Sequence, residues 1–278
     1  MKIFTTKKGL SSFLDDQKLS GKRVGYVATM GALHDGHISL IKLSKERSDI
    51  TVCSIFVNPT QFNDPKDLDR YPRPVEQDIE KLKRAGNDVL FLPEVNEMYG
   101  ENESWHIDLG NLENVLEGKF RPGHFQGVTQ VVKKFFDIIK PDVAFFGQKD
   151  FQQFRVIAKM VTLLKLPVEL VMCPIMRDSD GLALSSRNIH LSKTEREQAL
   201  SLSAALYQAK DNFETKTFGE LKKDVEDFLN NRPGIKPEYF ELADAETLNP
   251  ADESSKGVVA LVAAYVGKTR LIDNLILK

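Results

Sequence analysis

The 278-residue sequence predicts an α/β protein: a Rossmann-like parallel sheet with helices on both faces, plus a smaller C-terminal α+β domain. Two observations lead to this prediction. Through residue 176, short apolar runs alternate with amphipathic segments of about a dozen residues, which is typical of βαβ crossovers. From residue 177 onward, two helical segments precede three strand-like segments, and the alternation stops. We therefore predict one domain at 1–176 and a second at 177–278.

Each predicted strand of the first domain is an apolar run closed by a turn residue, and each predicted helix shows a helical period or end signals. ITVCSIFV (50–57) is β-branched and stops at Asn58-Pro59, whereas PVEQDIEKLKRAG (74–86) begins with proline and ends in glycine. The predicted strands are 24–29, 50–57, 88–93, 142–147 and 167–176. The predicted helices are 37–49, 74–86, 128–140 and 151–165.

In the second domain, two capping boxes mark helix starts. Ser192 is followed three residues later by Glu195, and Thr217 by Glu220, so that each pair can satisfy two backbone N–H groups. Three strand-like segments follow. They are EYFELADA (238–245), GVVALVAAYV (257–266) and TRLIDNLIL (269–277), the last two joined by Gly267-Lys268 as an antiparallel hairpin.

Composition limits the possible functions. A net charge of −2, from 38 basic and 40 acidic side chains, argues against a polyanion-binding surface or a polybasic membrane patch. Cys53 and Cys173 lie in separate apolar runs, which predicts buried free thiols in a reducing cytosol. The N-terminus has no apolar signal region and no window is long enough for a membrane span, so we expect a cytoplasmic protein.

Two histidines three residues apart follow the first predicted strand, in MGALHDGH (30–37). A loop entering a helix at Gly36-His37 would present backbone N–H groups and the positive end of a helix dipole. Gly31 and Gly36 would allow close backbone approach, and His34 and His37 add imidazole donors for phosphate oxygens. A helix start with a surface histidine is the alternative. A metal pair is disfavoured because no third ligand is nearby.

Other polar loops also follow predicted strands, and ligands of a parallel sheet bind at those strand ends. In GQKD (147–150), Lys149 suits a polyphosphate and Asp150 could orient it. DGLALSSRN (180–188) is rich in donors and could close over phosphates. A solvated turn and a polar linker are the respective alternatives.

VNPTQF (57–62) carries neutral amides, which suit a hydroxylated substrate because an amide both donates and accepts hydrogen bonds. No evident structural role explains a glutamine at position 61. Gln153, early in the predicted helix after GQKD, could face the same substrate-binding cavity as Gln61. Asn58 could equally form an Asx turn before Pro59. The basic loops supply further anion candidates, which could also be surface charges; these are Arg70, Arg73, Arg121 and His124.

The common nucleotide motifs are missing from the sequence. The first strand–helix turn lacks G-x-G-x-x-G, and there is no Walker A sequence. The nearest approach, GKT at 267–269, has Val262 at the first glycine position and falls in the predicted hairpin turn.

The order of these motifs is more specific than any one of them. TMGALHDGH resembles the H-x-G-H signature of the nucleotidyltransferase and class I aminoacyl-tRNA synthetase superfamily, and LSSRN takes the place of its second signature loop. With FVNPTQF, DLDRYPR, FRPGHFQGV and GQKDFQQ, the chain resembles the pantothenate synthetases (pantoate–β-alanine ligases). Where that family commonly has methionine before Ser-Ser-Arg, this chain has Leu184, a volume-conserving change.

The resemblance implies an ATP-dependent condensation of pantoate with β-alanine through pantoyl adenylate, releasing AMP and pyrophosphate, in a homodimer that uses Mg²⁺. His37 is implied as proton donor, with His34, Lys149 and Arg187 stabilising phosphate charge. Asn58, Gln61 and Gln153 are implied for pantoate, with Gln61 also near β-alanine. Mg²⁺ would be held mainly by phosphates, with Asp150 as one ligand. The implied ATP-binding residues are Met30, Gly31, Ala32, Leu33, His34, Asp35, Gly36, His37, Gly147, Gln148, Lys149, Asp150, Met176, Leu184, Ser185, Ser186 and Arg187.

Three other functions stay open at this point. One is a nucleotidyltransferase that activates a phosphorylated alcohol, although the uncharged amides argue against a phosphate-ester substrate. Another is a nucleotide-binding regulator without catalysis, which would not need the LSSRN loop. The third is a Rossmann oxidoreductase, which the missing glycine fingerprint disfavours.

Overall fold

The structure, a computed structural model, describes residues 1–101 and 103–278. The chain divides into two compact units. The first unit consists of Met1–Gly147 and Val156–Pro174, and the second of Gln148–Arg155 and Ile175–Lys278. Residues 148–155 therefore pack with the C-terminal part of the chain, although they precede the last strand of the first unit in sequence.

Within the described residues, the first unit contains one sheet of six strands, all paired in parallel. The strands are β1 (Lys2–Phe4), β2 (Val24–Thr29), β3 (Ile50–Ile55), β4 (Val89–Phe91), β5 (Val143–Gly147) and β6 (Glu169–Cys173). Their order is β1-β4-β3-β2-β5-β6, so the chain changes direction across the sheet between β2 and β5. The carboxyl ends of β2 and β5 therefore flank a topological switch point, where such sheets bind ligands.

Helices cover both faces of this sheet, as the sequence predicts. The helices are α1 (Lys7–Leu19), α2 (Asp35–Arg47), α3 (Pro65–Arg70), α4 (Val75–Arg84), α5 (Val95–Met98), α6 (Glu117–Phe120), α7 (His124–Ile139) and α8 (Phe151–Leu163). On one face, Ile41 of α2 and Leu82 of α4 belong to the same buried cluster as Val27 of β2. On the other face, Phe135 of α7 packs 5.6 Å from the ring of Tyr26. Successive strand residues thus point into separate cores, which explains the continuous apolar runs.

The second unit is an antiparallel sheet with two helices packed against it. Its elements are α9 (Lys193–Asp211), α10 (Phe218–Asn230), β7 (Ile235–Asp244), β8 (Val258–Val266) and β9 (Thr269–Ile276). The strands pair in the order β7-β8-β9. Both predicted capping boxes are confirmed: Glu195 accepts the Ser192 N–H at 2.8 Å, and Glu220 accepts the Thr217 N–H at 2.9 Å.

The predicted turn at Gly267-Lys268 is also confirmed. Val266 pairs with Thr269 across a two-residue connection, and Gly267 has φ +56°, a backbone conformation that glycine adopts without strain. The GKT triplet therefore belongs to a hairpin and not to a phosphate-binding loop.

Two elements near the N-terminus have no counterpart in the prediction. β1 has only three residues, two of them exposed, so it carries almost no apolar pattern. α1 begins at the N-cap Thr6, whose side chain accepts the Gly9 N–H, and among its residues Leu10 and Leu14 are buried. Such a narrow apolar stripe forms a helix because it packs on α7, which sequence periodicity does not reveal.

The prediction of two buried free thiols is confirmed. Cys53 and Cys173 are unpaired and almost completely inaccessible. Burial raises the pKa of Cys53 to about 12 and that of Cys173 to about 11. Within residues 1–101 and 103–278, no helix combines the length and apolar character needed to cross a bilayer.

Candidate active site

The histidine loop connects β2 to α2. The chain leaves the sheet at Thr29, and His34 takes the N-cap position with an extended backbone, φ −132° and ψ 174°. α2 begins at Asp35, so the helix starts two residues before the predicted residue 37. The earlier start corrects the prediction that the chain enters the helix at Gly36-His37. It places both histidines at the first turn, where backbone N–H groups point beyond the helix end.

The two imidazoles contact each other. Their ring centroids lie 4.0 Å apart, and the His34 backbone N–H donates to His37 Nδ1 at 3.3 Å. Because Nδ1 of His37 accepts this hydrogen bond, a neutral ring carries its proton on Nε2. The Nε2–H group of His37 is therefore oriented as a donor by the backbone of its own helix start.

Gly31 allows this loop to turn tightly beside a buried carboxyl group. Its φ is +67°, and a Cβ atom there would lie 2.7 Å from Asp78 Oδ2. The Tyr71 hydroxyl donates to the Gly31 carbonyl at 2.6 Å and fixes the same peptide. A side chain at position 31 would therefore be strained by both conformation and contact.

Asp78 of α4 holds the next part of the loop. It is 1% exposed, and its Oδ1 accepts the Leu33 N–H at 2.8 Å. Lys81, one turn later on α4, donates to the Leu33 carbonyl. Burial raises the pKa of the Asp78 carboxyl, and the hydrogen bond from Leu33 opposes that rise. The peptide before His34 is thus held on both its N–H and C=O sides.

Asp78 should make the stability of the protein depend on pH. Because its pKa is raised in the folded state, the native protein binds this proton more strongly than the unfolded chain does. Ionisation of Asp78 therefore costs stability as the pH rises above the ordinary aspartate range. We expect Asp78→Asn, measured by urea denaturation from pH 4 to pH 7, to gain stability relative to wild type as the pH rises. A difference that stays constant with pH would exclude Asp78 as the titrating group.

Two amide side chains follow β3 and form one hydrogen-bonded group. Asn58 is 1% exposed and donates from Nδ2 to the Gly127 carbonyl at 3.1 Å and to Gln61 Oε1 at 3.2 Å. Its Oδ1 accepts from the Tyr99 hydroxyl at 2.6 Å and from the Thr60 N–H at 3.4 Å. The Asx turn left open by the sequence is therefore present, and Asn58 orients the Gln61 side chain.

Gln61 reaches the histidine loop. Its Nε2 donates to Met30 Sδ at 2.9 Å, and a thioether is a weak acceptor that a substrate oxygen can replace. His124 Nδ1 donates to the Gln61 carbonyl at 2.8 Å, and an Arg121 guanidinium nitrogen lies 3.4 Å from the same oxygen. Two predicted anion ligands thus contact the Gln61 backbone and hold its side chain beside Met30.

The other two basic candidates stay in their own loop. Arg73 donates to the Leu68 carbonyl at 2.9 Å and to the Tyr71 carbonyl at 3.3 Å. Arg70, at the end of α3, is exposed.

In the second unit, the GQKD segment contains a 3-10 turn over Gln148–Asp150. The Lys149 side chain is 19% exposed, and its Nζ lies 3.6 Å from a carboxylate oxygen of the half-exposed Asp150. Lys149 lines one small cavity together with Ser185 and Asn188. The structure therefore brings the predicted lysine and a serine of the LSSRN loop together.

The LSSRN loop follows a short hairpin. Leu184 donates its N–H to the Met176 carbonyl at 3.0 Å, and Arg177 pairs with Ala183. Ser185 caps the 3-10 helix Ser186–His190 by accepting the Arg187 N–H at 3.3 Å. The LSSRN segment therefore contains a 3-10 turn, and the Ser185 hydroxyl at its start already accepts from a backbone donor.

The predicted site residues are divided between the two units. Met30–His37, Asn58, Gln61 and Gly147 belong to the first unit, and Gln148–Asp150, Gln153, Met176 and Leu184–Arg187 belong to the second. Met30 contacts Gln61 and His34 contacts His37, whereas Lys149 and Ser185 share a cavity.

Sequence reasoning missed the residues that hold these groups in place. They are Tyr71, Asp78 and Lys81 beside the histidine loop, Asn274 beside GQKD, and Asp273 beside the hairpin that leads to LSSRN. The adjacent polar residues Asp273 and Asn274 inside TRLIDNLIL were a usable signal for such contacts. Polar groups that are buried in an otherwise apolar strand need hydrogen-bond partners. Asp78 gave no such signal, since an acid in the first turn of a helix is common.

Comparison with known proteins decides the family. The family model for pantoate-beta-alanine ligase matches residues 2–276. The chain belongs to this family. Among curated members, it is 47% identical to the pantothenate synthetase of Bacteroides fragilis (strain YCH46) over 99% of this chain and 98% of that protein. It is 46% identical to the pantothenate synthetase of Aquifex aeolicus over 98% of this chain and 97% of that protein.

Solved members of the family share the fold. The crystal structure of pantothenate synthetase from Thermus thermophilus has a TM-score of 0.94 at 39% identity, covering 100% of this chain and 99% of that one. Pantoate-beta-alanine ligase from Francisella tularensis, complexed with beta-gamma ATP and beta-alanine, has a TM-score of 0.83 at 36% identity, covering 100% and 98%. Membership of the family and the Rossmann-like architecture are thus confirmed.

Proposed function

We propose that this chain condenses (R)-pantoate with β-alanine to form pantothenate, in an ATP-dependent reaction through pantoyl adenylate. The contact from Gln61 Nε2 to Met30 Sδ, 2.9 Å long, carries this proposal. It joins an uncharged amide to the loop that leads into the first turn of α2, which carries His34 and His37. Amides suit a hydroxylated acid, and a helix start with two imidazoles suits a phosphate. Partners for a carboxylate and for the phosphate it attacks therefore lie side by side in the first unit.

The relatives support the same reaction. The Francisella member was solved with an ATP species and β-alanine, two of the three substrates proposed here. Its structure matches this chain along its whole length, with 36% identity. The proposal extends those two ligands to this chain and assigns the amide side chains of Asn58 and Gln61 to pantoate.

In the first step, a pantoate carboxylate oxygen attacks the α-phosphorus of ATP. The bond from that phosphorus to the α,β-bridging oxygen breaks, and pyrophosphate leaves. Because the carboxylate is already ionised near pH 7, the step needs alignment and charge stabilisation more than a base. We assign His37 Nε2–H and His34 to the phosphate oxygens, and Lys149, Ser185, Ser186 and Arg187 to the rest of the triphosphate.

In the second step, the neutral amine of β-alanine attacks the acyl carbon of pantoyl adenylate. The bond between the acyl carbon and the phosphate oxygen breaks, and AMP leaves. The proton from the amine passes to the AMP phosphate or to His37. Gln61, with Gln153 and the supporting Asn58, holds the pantoyl hydroxyl groups so that the acyl carbon faces the amine.

Mg²⁺ fits this site only as an ion held mainly by the substrate. No group of three histidine, cysteine, aspartate or glutamate side chains within residues 1–101 and 103–278 could cage a metal. Asp150 offers one half-exposed carboxylate beside Lys149. Mg²⁺ commonly keeps several waters and binds through one or two carboxylates plus phosphates, and when bound it would neutralise phosphate charge.

Isotope transfer tests the adenylate directly. Pantoate labelled with ¹⁸O in its carboxylate should give AMP that carries one ¹⁸O atom, because a pantoate oxygen stays on the α-phosphorus. Pyrophosphate should appear with ATP and pantoate before β-alanine is added, in an amount close to one equivalent of enzyme. The lactone of pantoate lacks a free carboxylate and should release none.

The same assay separates the rival functions. A nucleotidyltransferase for phosphorylated alcohols would release pyrophosphate only with such an alcohol, and a regulator would bind ATP without turnover. Unlabelled AMP in the presence of turnover would exclude the acyl adenylate. We also propose a homodimer, which sedimentation of the purified chain tests independently of activity.

Gln61→Ala should weaken pantoate binding selectively. A site that hydrogen-bonds a substrate hydroxyl loses much of its affinity when the protein side of that bond is removed. We therefore expect the KM for pantoate to rise about 10- to 100-fold. The KM for ATP should change less than about threefold, a difference well below the 1.4 kcal/mol that makes a factor of ten. Steady-state pyrophosphate release at varied pantoate and ATP measures both constants.

Gln77→Ala, at an exposed glutamine of α4, is the matched control and should leave both constants unchanged. Equal loss of affinity for pantoate and ATP in Gln61→Ala would contradict the assignment, because it would indicate a disturbed loop and not a lost substrate contact.

A further inference from the structure

Asn274 of β9 makes three side-chain hydrogen bonds to the GQKD segment. It is 1% exposed, and its Nδ2 donates to the carbonyl oxygens of Gln148 at 2.9 Å and Lys149 at 3.0 Å. Its Oδ1 accepts from Gln148 Nε2 at 3.2 Å. Both amide hydrogens are therefore used on two consecutive carbonyl groups, and the amide has no freedom to rotate.

These bonds act on the short turn that leads into α8. Gln148–Asp150 is a 3-10 turn of three residues, and α8 begins at the next residue, Phe151. Lys149 has a long flexible side chain. The position of its ammonium group therefore depends on a fixed backbone and on the residues that line the cavity around it. Asn274 supplies the fixed backbone directly at Lys149.

The neighbouring residue on β9 holds the other predicted phosphate segment. Asp273 is 4% exposed and accepts from both terminal nitrogens of Arg177, at 2.6 and 2.9 Å. Arg177 also donates to the Gly181 carbonyl at 3.1 Å, inside the hairpin that leads to Ser185. Asp273 lines the same small cavity as Lys149 and Ser185. One edge strand thus contacts both segments.

We propose that Asn274 is a positioning residue, which orients Lys149 toward the triphosphate by holding the carbonyl groups of Gln148 and Lys149. This inference rests on the proposed function, in which Lys149 contacts ATP. An alternative role is structural only: Asn274 would satisfy two buried carbonyl groups and contribute to folding, with no specific effect on ATP. The two roles predict different kinetics.

Asn274→Ala in the full-length chain tests the proposal by steady-state pyrophosphate release. We expect kcat/KM for ATP to fall about 10- to 30-fold, since a misplaced charge loses transition-state stabilisation. The KM for pantoate should stay within twofold of wild type. Asn274→Ser keeps one donor group and should lower kcat/KM for ATP by an intermediate factor. This variant replaces Asn274→Ala in the test if the alanine variant does not fold.

Leu229→Ala is the stability-matched control. Leu229 of α10 is fully buried in the core of the same unit and is far in sequence from GQKD. It should lower the melting temperature without changing kcat/KM for ATP. If it lowers kcat/KM for ATP as much as Asn274→Ala does, the effect follows stability and the positioning role is wrong.

A double-mutant cycle completes the test. If Asn274 acts through Lys149, the double variant Asn274→Ala/Lys149→Ala should have a kcat/KM for ATP less than twofold below that of Lys149→Ala alone. The reason is that the group that Asn274 positions is already absent. Full additivity would overturn the inference. A Lys149→Ala variant with normal activity would instead refute the proposed role of Lys149 in ATP binding. An inactive Lys149→Ala beside a fully active Asn274→Ala would refute only the positioning role.

Discussion

His37→Ala is expected to lower the kcat of adenylation about 100- to 1,000-fold while changing the KM for ATP much less. The reason is the hydrogen bond from the His34 N–H to His37 Nδ1, which fixes the neutral tautomer and turns Nε2–H into a preorganised donor. A donor aimed at charge that develops in the transition state affects kcat more than ground-state affinity. Single-turnover pyrophosphate release with saturating pantoate measures the step without interference from product release.

His37→Gln refines the same test. A glutamine amide can place a donor near the position of the imidazole Nε2, so partial recovery of kcat relative to His37→Ala is expected. His106→Ala, at an exposed histidine of the first unit, is the matched control and should have wild-type rates. A His37→Ala enzyme with unchanged kcat would exclude a transition-state role for this imidazole.

Lys149→Ala should reduce kcat/KM for ATP about 100-fold or more, the second large effect. The Lys149 side chain is mostly buried and lines a cavity with Ser185, so its charge is poorly screened by solvent. Removing a poorly screened cation beside a triphosphate costs both binding and charge stabilisation. The KM for β-alanine, measured with ATP saturating, should change little.

Lys149→Arg is not expected to restore activity, because the planar guanidinium is bulkier than the compact ammonium and has a different donor geometry. Lys159→Ala removes an exposed lysine from the end of α8 and provides the charge-matched control. An ATP affinity that falls equally in Lys149→Ala and Lys159→Ala would indicate a general loss of positive charge and no specific site.

Local signals predicted most of the fold. The strands β2, β3 and β5 are apolar runs because both of their faces are buried, and the capping boxes at Ser192 and Thr217 are complete within four residues. β1 and α1 were missed because their stability comes from neighbours distant in sequence. The start of α2 was misplaced by two residues, since histidine is an unusual N-cap and carries no strong start signal.

The candidate site shows the same difference between local signals, which are visible in the sequence, and contacts between distant residues, which are not. Loops at strand ends could be predicted from topology, and their order along the chain pointed to the family. The supports of those loops could not be predicted in this way, because Leu33 and Asp78 are 45 residues apart and Gln148 and Asn274 are 126 apart. Contacts at such separations depend on the packed sheet and leave no periodic pattern in the sequence.

Because both native cysteines are inaccessible, fluorescent dyes can be attached at introduced cysteines without replacing the native ones. Thiol-directed dyes react with the thiolate, and raised pKa values together with burial keep Cys53 and Cys173 unreactive near neutral pH. A dye pair attached at Leu19→Cys and Glu214→Cys, two exposed positions in different units, would therefore label only the introduced thiols. Energy transfer between the dyes then measures the distance between positions 19 and 214 during turnover, with no native cysteine replaced.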